Sequence, residues 1–151
     1  MRKGWLGRIT LGLLYVTFVL GAAFIVLLPK VLPRLLATKE YLPEPGAAYA
    51  VSLACWLLGA LLGMFILYTL IRMMRSTERD PFIRQNVLRL RNMGLAALVM
   101  AALTLTVNFF YFRPTLLLIM VAELLCGLFS LVLRGVFEKA VEYREENALT
   151  I

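Results

Sequence analysis

The chain contains no histidine. That absence removes the usual zinc triads, the Ser-His and Cys-His nucleophile pairs and the H-E-x-x-H metalloprotease helix, all of which need an imidazole. Cysteine is almost as scarce: Cys55 and Cys126 are the only two. Both fall inside apolar runs, where a thiol is inert, and two are too few for a metal cluster. There is no glycine-rich phosphate loop, no internal repeat and no low-complexity segment. An enzyme is therefore not expected, nor is any cofactor or metal. Charge is sparse as well. Charged residues make up 17% of the 151 and hydrophobic ones 62%, against about 25% and roughly 45 to 50% in an ordinary soluble domain.

The abundant feature is long apolar runs. A membrane span takes about 20 consecutive apolar residues, and four runs meet that length: 9–28, 47–71, 93–112 and 115–133. Outside them lie only the 30–46 loop, the 72–92 connector and the tail from Arg134, too little for a separate soluble domain. The expected fold is all-α: a four-transmembrane-helix bundle forming a single integral membrane domain over 1–151, with an amphipathic connector helix and a helical C-terminal tail.

The basic residues set the expected orientation. With both termini inside, the cytoplasmic side holds twelve: Arg2, Lys3, Arg8, Arg72, Arg75, Arg79, Arg84, Arg89, Arg91, Arg134, Lys139 and Arg144. The outer side holds four, Lys30, Arg34, Lys39 and Arg113. Short cytoplasmic loops are enriched in Lys and Arg, so both ends are expected in the cytoplasm. The net charge of +7 then reads as topology and as attraction to anionic headgroups, with the lipid bilayer as partner and no direct nucleic acid. Residues 1–28 read as an anchor rather than a cleaved signal peptide, because the apolar run is too long and Gly21-Ala22-Ala23 offers no clean cleavage site.

Membrane helices approach closely at small residues. Gly59 and Gly63 form a G-x-x-x-G in the second span, extended by Ala50 and Ala54. The fourth span has Ala122, Cys126 and Ser130 at four-residue spacing, and the third has Ala97 and Ala101. Packing within the bundle is the simpler expectation; a homo-oligomer through the Gly59 face is the other. Arg113 and Pro114 alone separate the third and fourth spans, so these two must form an antiparallel hairpin.

One charge lies deep inside a span. Glu123 is eight residues after Thr115, about 12 Å along a helix, which places it near mid-membrane. A carboxylate there costs about 2.5 to 3.5 kcal/mol on insertion scales unless it is protonated or partnered. Thr104, Thr106 and Asn108 on the third span have the depth to bond to it. Glu123 reads either as a buried register device or as a proton, ion or small-ligand site.

The connector and tail carry the remaining signals. In "TERDPFIRQNVLRLRNMG", Thr77 or Asp80 is the expected helix cap with Pro81 in the first turn. Phe82, Ile83, Val87, Leu90 and Met93 share one side, with Asn86 intruding, while Arg84, Gln85, Arg91 and Asn92 lie away from it, the pattern of an interfacial helix. In "GVFEKAVEYREENALTI", Val136, Phe137, Ala140 and Val141 oppose Glu138, Lys139, Glu142, Glu145 and Glu146, so the fourth helix is expected to continue into the cytoplasm and stop near Asn147. The tail is acidic where the connector is basic. Arg84, Arg89, Arg91, Phe82, Glu142, Glu146, Leu149 and Ile151 form the expected partner-binding surface.

Asp80, Pro81, Phe82, Asn86, Leu88 and Arg89 in the connector, with Glu146, Asn147, Leu149, Thr150 and Ile151 in the tail, resemble the small four-span bacterial membrane proteins of the domain of unknown function 2975 family. The resemblance extends by topology over nearly the whole chain and implies a bacterial inner-membrane location. It also implies a neighbourhood of small helix-turn-helix regulators and no established enzymatic activity. The leading expectation is a non-enzymatic membrane sensor or regulator that binds a cytoplasmic protein, such as a small helix-turn-helix transcription regulator. The alternative is a small transporter or channel subunit that uses Glu123.

Overall fold

The computed structural model describes residues 3–36, 46–77 and 83–149. These fold into α1 (Lys3–Leu36), α2 (Ala47–Thr77), α3 (Arg84–Phe110) and α4 (Pro114–Leu149), all long and apolar enough to cross a membrane. Even α3, the shortest at 27 residues, is about 40 Å long at 1.5 Å per residue, more than a hydrocarbon core of roughly 30 Å. The surplus turns of each helix are the rims on which the charges sit.

The helices outrun the apolar stretches. α1 continues past Leu28 with Pro29 and Pro33 inside it, each missing one N–H of the helical ladder. α2 runs on to Thr77, so Thr77 closes that helix instead of capping the next. Asp80, Pro81 and Phe82 lie outside the described residues. α3 starts at Arg84, with extended Ile83 as an N-cap that makes no side-chain bond. The amphipathic connector is therefore the opening of the third span, joined to it without a break. α4 carries the tail as helix beyond Asn147 to Leu149, because no proline or glycine follows Gly135 to end it.

Packing follows chain order. α1 lies against α2, α2 against α3 and α3 against α4; among the described residues α1 and α4 do not meet. The bundle is thus an open arc, with α3 its most enclosed span. Large apolar side chains such as Leu13, Val26, Phe109, Leu118 and Phe129 point outward. In water such a surface would be a liability; in a bilayer it is the solvent-facing side.

The α3–α4 seam is the tightest part. Leu116, Met120, Glu123, Gly127, Ser130, Arg134, Phe137 and Val141, all buried or half-buried, alternate spacings of four and three, the period that keeps one face of a helix on its neighbour. Val87, Leu90, Gly94, Ala97, Ala101, Thr104 and Asn108 do the same on α3. At the crossing, a Cβ on Gly94 would lie 3.0 Å from the Gly127 carbonyl oxygen and 2.8 Å from Leu131. A Cβ on Gly127 would lie 3.1 Å from the Gly94 oxygen. Ser130 Oγ donates to the Leu90 carbonyl at 2.9 Å, a buried bond between the two helices. At the far end the Arg113 N–H donates to Asn108 Oδ1 at 3.0 Å, and Pro114, which has no N–H to satisfy, opens α4.

The expected packing residues fall differently. Gly59 has nothing within 4 Å of its Cβ position, and Gly63 meets only the tip of Met100 at 3.9 Å. Their side of α2 borders an open space instead of a helix. Ala122 and Cys126 are exposed, leaving Ser130 as the one member of that stripe in the seam. Periodicity of four drifts off a helix-helix contact within two turns, whereas alternation of four and three stays on it.

Candidate functional site

The space beside Gly59 is a cavity of about 560 Å³, lined by residues of all four helices and partly open to the surroundings. α1 contributes Thr17, Leu20, Gly21 and Phe24; α2 contributes Cys55, Trp56, Gly59, Gly63 and Met64 among others; α3 and α4 close it with Met100, Thr104, Ile119 and Glu123. It exists because the arc does not shut and because two glycines of α2 leave room where side chains would stand. Nearly all of its surface is hydrocarbon.

Glu123 and Thr104 are the polar pair in that wall. Thr104 Oγ1 donates to Glu123 Oε2 at 2.8 Å. Threonine is a frequent interhelical donor in lipid, where such a bond is worth about 0.6 to 2 kcal/mol. The other two expected partners do different work. Thr106 is exposed and bonds the Ala102 carbonyl one turn back, and Asn108 is occupied by the hairpin. No Lys or Arg lines the cavity. Thr17 hydroxyl is turned onto its own helix, bonding the Leu13 carbonyl at 2.9 Å.

A second polar group forms where α2 ends and α3 begins. Asn86 is fully enclosed, and its Oδ1 lies 2.9 Å from Ser76 Oγ and 2.9 Å from Arg89 Nη1. Arg89 Nη1 is also 3.0 Å from Ser76 Oγ and 3.5 Å from the Arg72 carbonyl. Nη2 lies 3.4 Å from Gln85 Oε1. The asparagine that interrupts an apolar side is thus the acceptor that ties two consecutive helices together. Arg89 faces inward into this cluster, not outward as part of a partner surface. The guanidinium of Arg75 lies 5.6 Å from the Tyr15 ring and joins α1 to the same rim.

Arg84 and Glu145 approach to 3.9 Å, both well exposed. The start of α3 and the end of α4 therefore sit side by side, as their opposite charges lead one to expect. Val87, Leu90 and Val141 are buried at this end, whereas Val136 is exposed. Arg91, Glu142 and Glu146 face solvent. Phe82, Ile151 and the side chain of Leu149 lie outside the described residues.

Sequence reasoning placed Glu123 and Thr104 together but missed the Gly94/Gly127 crossing, the cavity and the role of Asn86. The signals were present. Gly94, Ala97 and Ala101 form a small-residue stripe, Gly127 stands one position from the stripe that was read, and a lone amide on an apolar side needs partners.

A family model described as "Protein of unknown function (DUF2975)" matches residues 35–151. The protein belongs to that family and is a multi-pass membrane protein. The matched region spans α2, α3 and α4 and begins at the end of α1. No curated protein and no solved structure matches the chain.

Proposed function

We propose that this protein is a non-enzymatic sensor or regulator of the bacterial inner membrane, which binds a cytoplasmic protein through the rim formed by the start of α3 and the end of α4. The observation that carries this reading is the pairing of Arg84 with Glu145 at 3.9 Å, which makes one composite surface from two helices that continue directly into the tightest seam of the bundle. The pair itself contributes only about 0.2 to 1 kcal/mol; its value is that it reports adjacency. A shift between α3 and α4 would change the shape of that rim. A partner that binds one arrangement better by about 1 to 3 kcal/mol responds over roughly 5- to 150-fold.

Capture of cytoplasmic proteins on detergent-solubilised full-length protein tests the reading. Reversing Arg84 and Arg91 to glutamate, or deleting 148–151, should release the captured protein while the variants stay folded and inserted. Equal capture by wild type and both variants would remove the composite rim as a docking surface. The Glu123 cavity favours a second reading, a small transporter or channel subunit. That reading needs a polar path to both surfaces, and the cavity wall offers little beyond Glu123, Thr104 and Thr17.

A further inference from the structure

The cavity, the Asn86 cluster and the acidic end of α4 are the polar features that membrane insertion by itself does not require. The Asn86 cluster serves to join α2 to α3, and the tail belongs to the surface above. The cavity is different, because it combines room, an apolar wall and an incompletely engaged carboxyl group. We propose that it binds a small lipophilic amine, whose hydrocarbon body fills the space lined by the four helices and whose ammonium pairs with Glu123. This deepens the sensor reading and depends on it for its consequence, since it names the class of molecule sensed.

Size comes first. A volume of about 560 Å³ falls within the roughly 300 to 1,000 Å³ typical of small-molecule sites, which are likewise apolar with a few convergent polar groups. Charge comes second. Thr104 engages Glu123 Oε2, and among the described residues nothing bonds Oε1. A neutral hydroxyl covers one oxygen without compensating a charge, and the wall supplies no cation. A carboxyl group at this depth is stable as the neutral acid or beside a cation, and is costly otherwise. The third consideration separates candidate occupants. A lipid acyl chain filling the same space would press methylene groups against Oε1 and leave it without a partner. An alkyl or benzylic ammonium supplies both the missing donor and the opposite charge, a charge-assisted bond of the stronger kind.

Trp56 stands in the cavity wall and the chain's other tryptophan is Trp5. A full-length Trp5→Phe variant in phosphatidylcholine nanodiscs therefore reports on the cavity by the fluorescence of Trp56. 4-Iodobenzylamine, whose iodine quenches indole, should quench it saturably. 4-Iodotoluene, which lacks the amine, should bind roughly tenfold more weakly or worse. Adding Glu123→Gln should weaken the amine by a similar factor while the helical circular dichroism and melting temperature are kept. Gly59→Leu supplies an independent arm: Gly59 lines the cavity and its Cβ position has nothing within 4 Å, so a variant that keeps its melting temperature fills that space with its own side chain, and saturable quenching should disappear with Glu123 intact. Quenching that never saturates, or that saturates equally for amine and toluene, means partition into lipid or an apolar occupant and overturns the proposal. So does a folded Glu123→Gln variant that binds the amine as wild type does. If Glu123→Gln does not fold, Gly59→Leu and the toluene comparison decide. No cytoplasmic partner is present in this assay, so failure of amine binding leaves the rim intact, and failure of the capture experiment leaves the cavity intact.

Discussion

Asn86 shows how much one side chain can organise in this protein. Its amide oxygen receives Ser76 from α2 and Arg89 from its own helix, and it has no exposed surface. Hydrogen bonds to charged groups contribute about 1.5 to 3 kcal/mol; with the acceptor gone, the half-buried Arg89 loses one partner, while Ser76 can still donate to the Met73 carbonyl at 2.8 Å. Asn86→Leu, close in volume and apolar like its neighbours, should therefore lower stability by about 1 to 3 kcal/mol, read as a lower melting temperature in detergent micelles. Arg89→Lys keeps the charge but loses the planar fork that reaches Ser76 and Gln85 at once, and should fall between wild type and Asn86→Leu. A wild-type melting temperature for Asn86→Leu would show that the amide contributes no net stability. Glu123 is the opposite case. Among the described residues one neighbour reaches it, on one oxygen, and the space beside it is open.

At the scale of elements, α3 and α4 set the rigid part of the fold and α1 the loose part. Two glycines facing each other let the α3 and α4 backbones come close enough that a methyl group at either position meets a carbonyl oxygen at 3.0 to 3.1 Å. A backbone atom cannot step aside as a flexible side-chain tip can, so the helices must separate, and overpacking of this kind costs about 1 to 3 kcal/mol. Gly94→Ala and Gly127→Ala should each lower the melting temperature, and the double variant should cost less than the sum, because both relieve one contact by the same separation. Gly59→Ala should hold or raise it, since its methyl group enters open space and alanine is the better helix former by up to about 1 kcal/mol. If Gly59→Ala is the most destabilising of the three, the close contact lies on α2 and the seam assigned here is wrong. α1, which among the described residues packs against α2 alone, is the element whose displacement would open or close the cavity.

Across the whole molecule, four antiparallel spans put the start of α1 and the end of α4 at one end, together with the Asn86 cluster and the Arg84–Glu145 pair. Which side of the membrane that end occupies is an expectation from the basic residues. Tyr143 is exposed at the end bearing the Arg84–Glu145 pair and Phe112 at the hairpin end. In a Cys126→Ala background, Tyr143→Cys should react with a membrane-impermeant maleimide only after cells are permeabilised, and Phe112→Cys in intact cells. The reverse pattern would move the rim to the outer face and end the case for a cytoplasmic partner.

Span number and hairpin order were legible in the linear chain, because each depends on counting residues against a fixed membrane thickness and a fixed rise per residue. The Glu123–Thr104 pairing was nearly so, since a charge at that depth must find a polar neighbour and the hairpin limits the choice. Which side of each helix meets protein was not legible. In lipid, the surface against a neighbouring helix and the surface against acyl chains are equally apolar, so hydrophobicity does not tell them apart. For that reason Gly59 and Gly63 read as a contact and border a cavity, whereas Gly94 and Gly127, in different spans, become a contact only when the hairpin folds. The inward turn of Arg89 has the same origin: a sequence shows that an arginine is present, but only the packing of α2 beside α3 brings Ser76 and Asn86 within its reach.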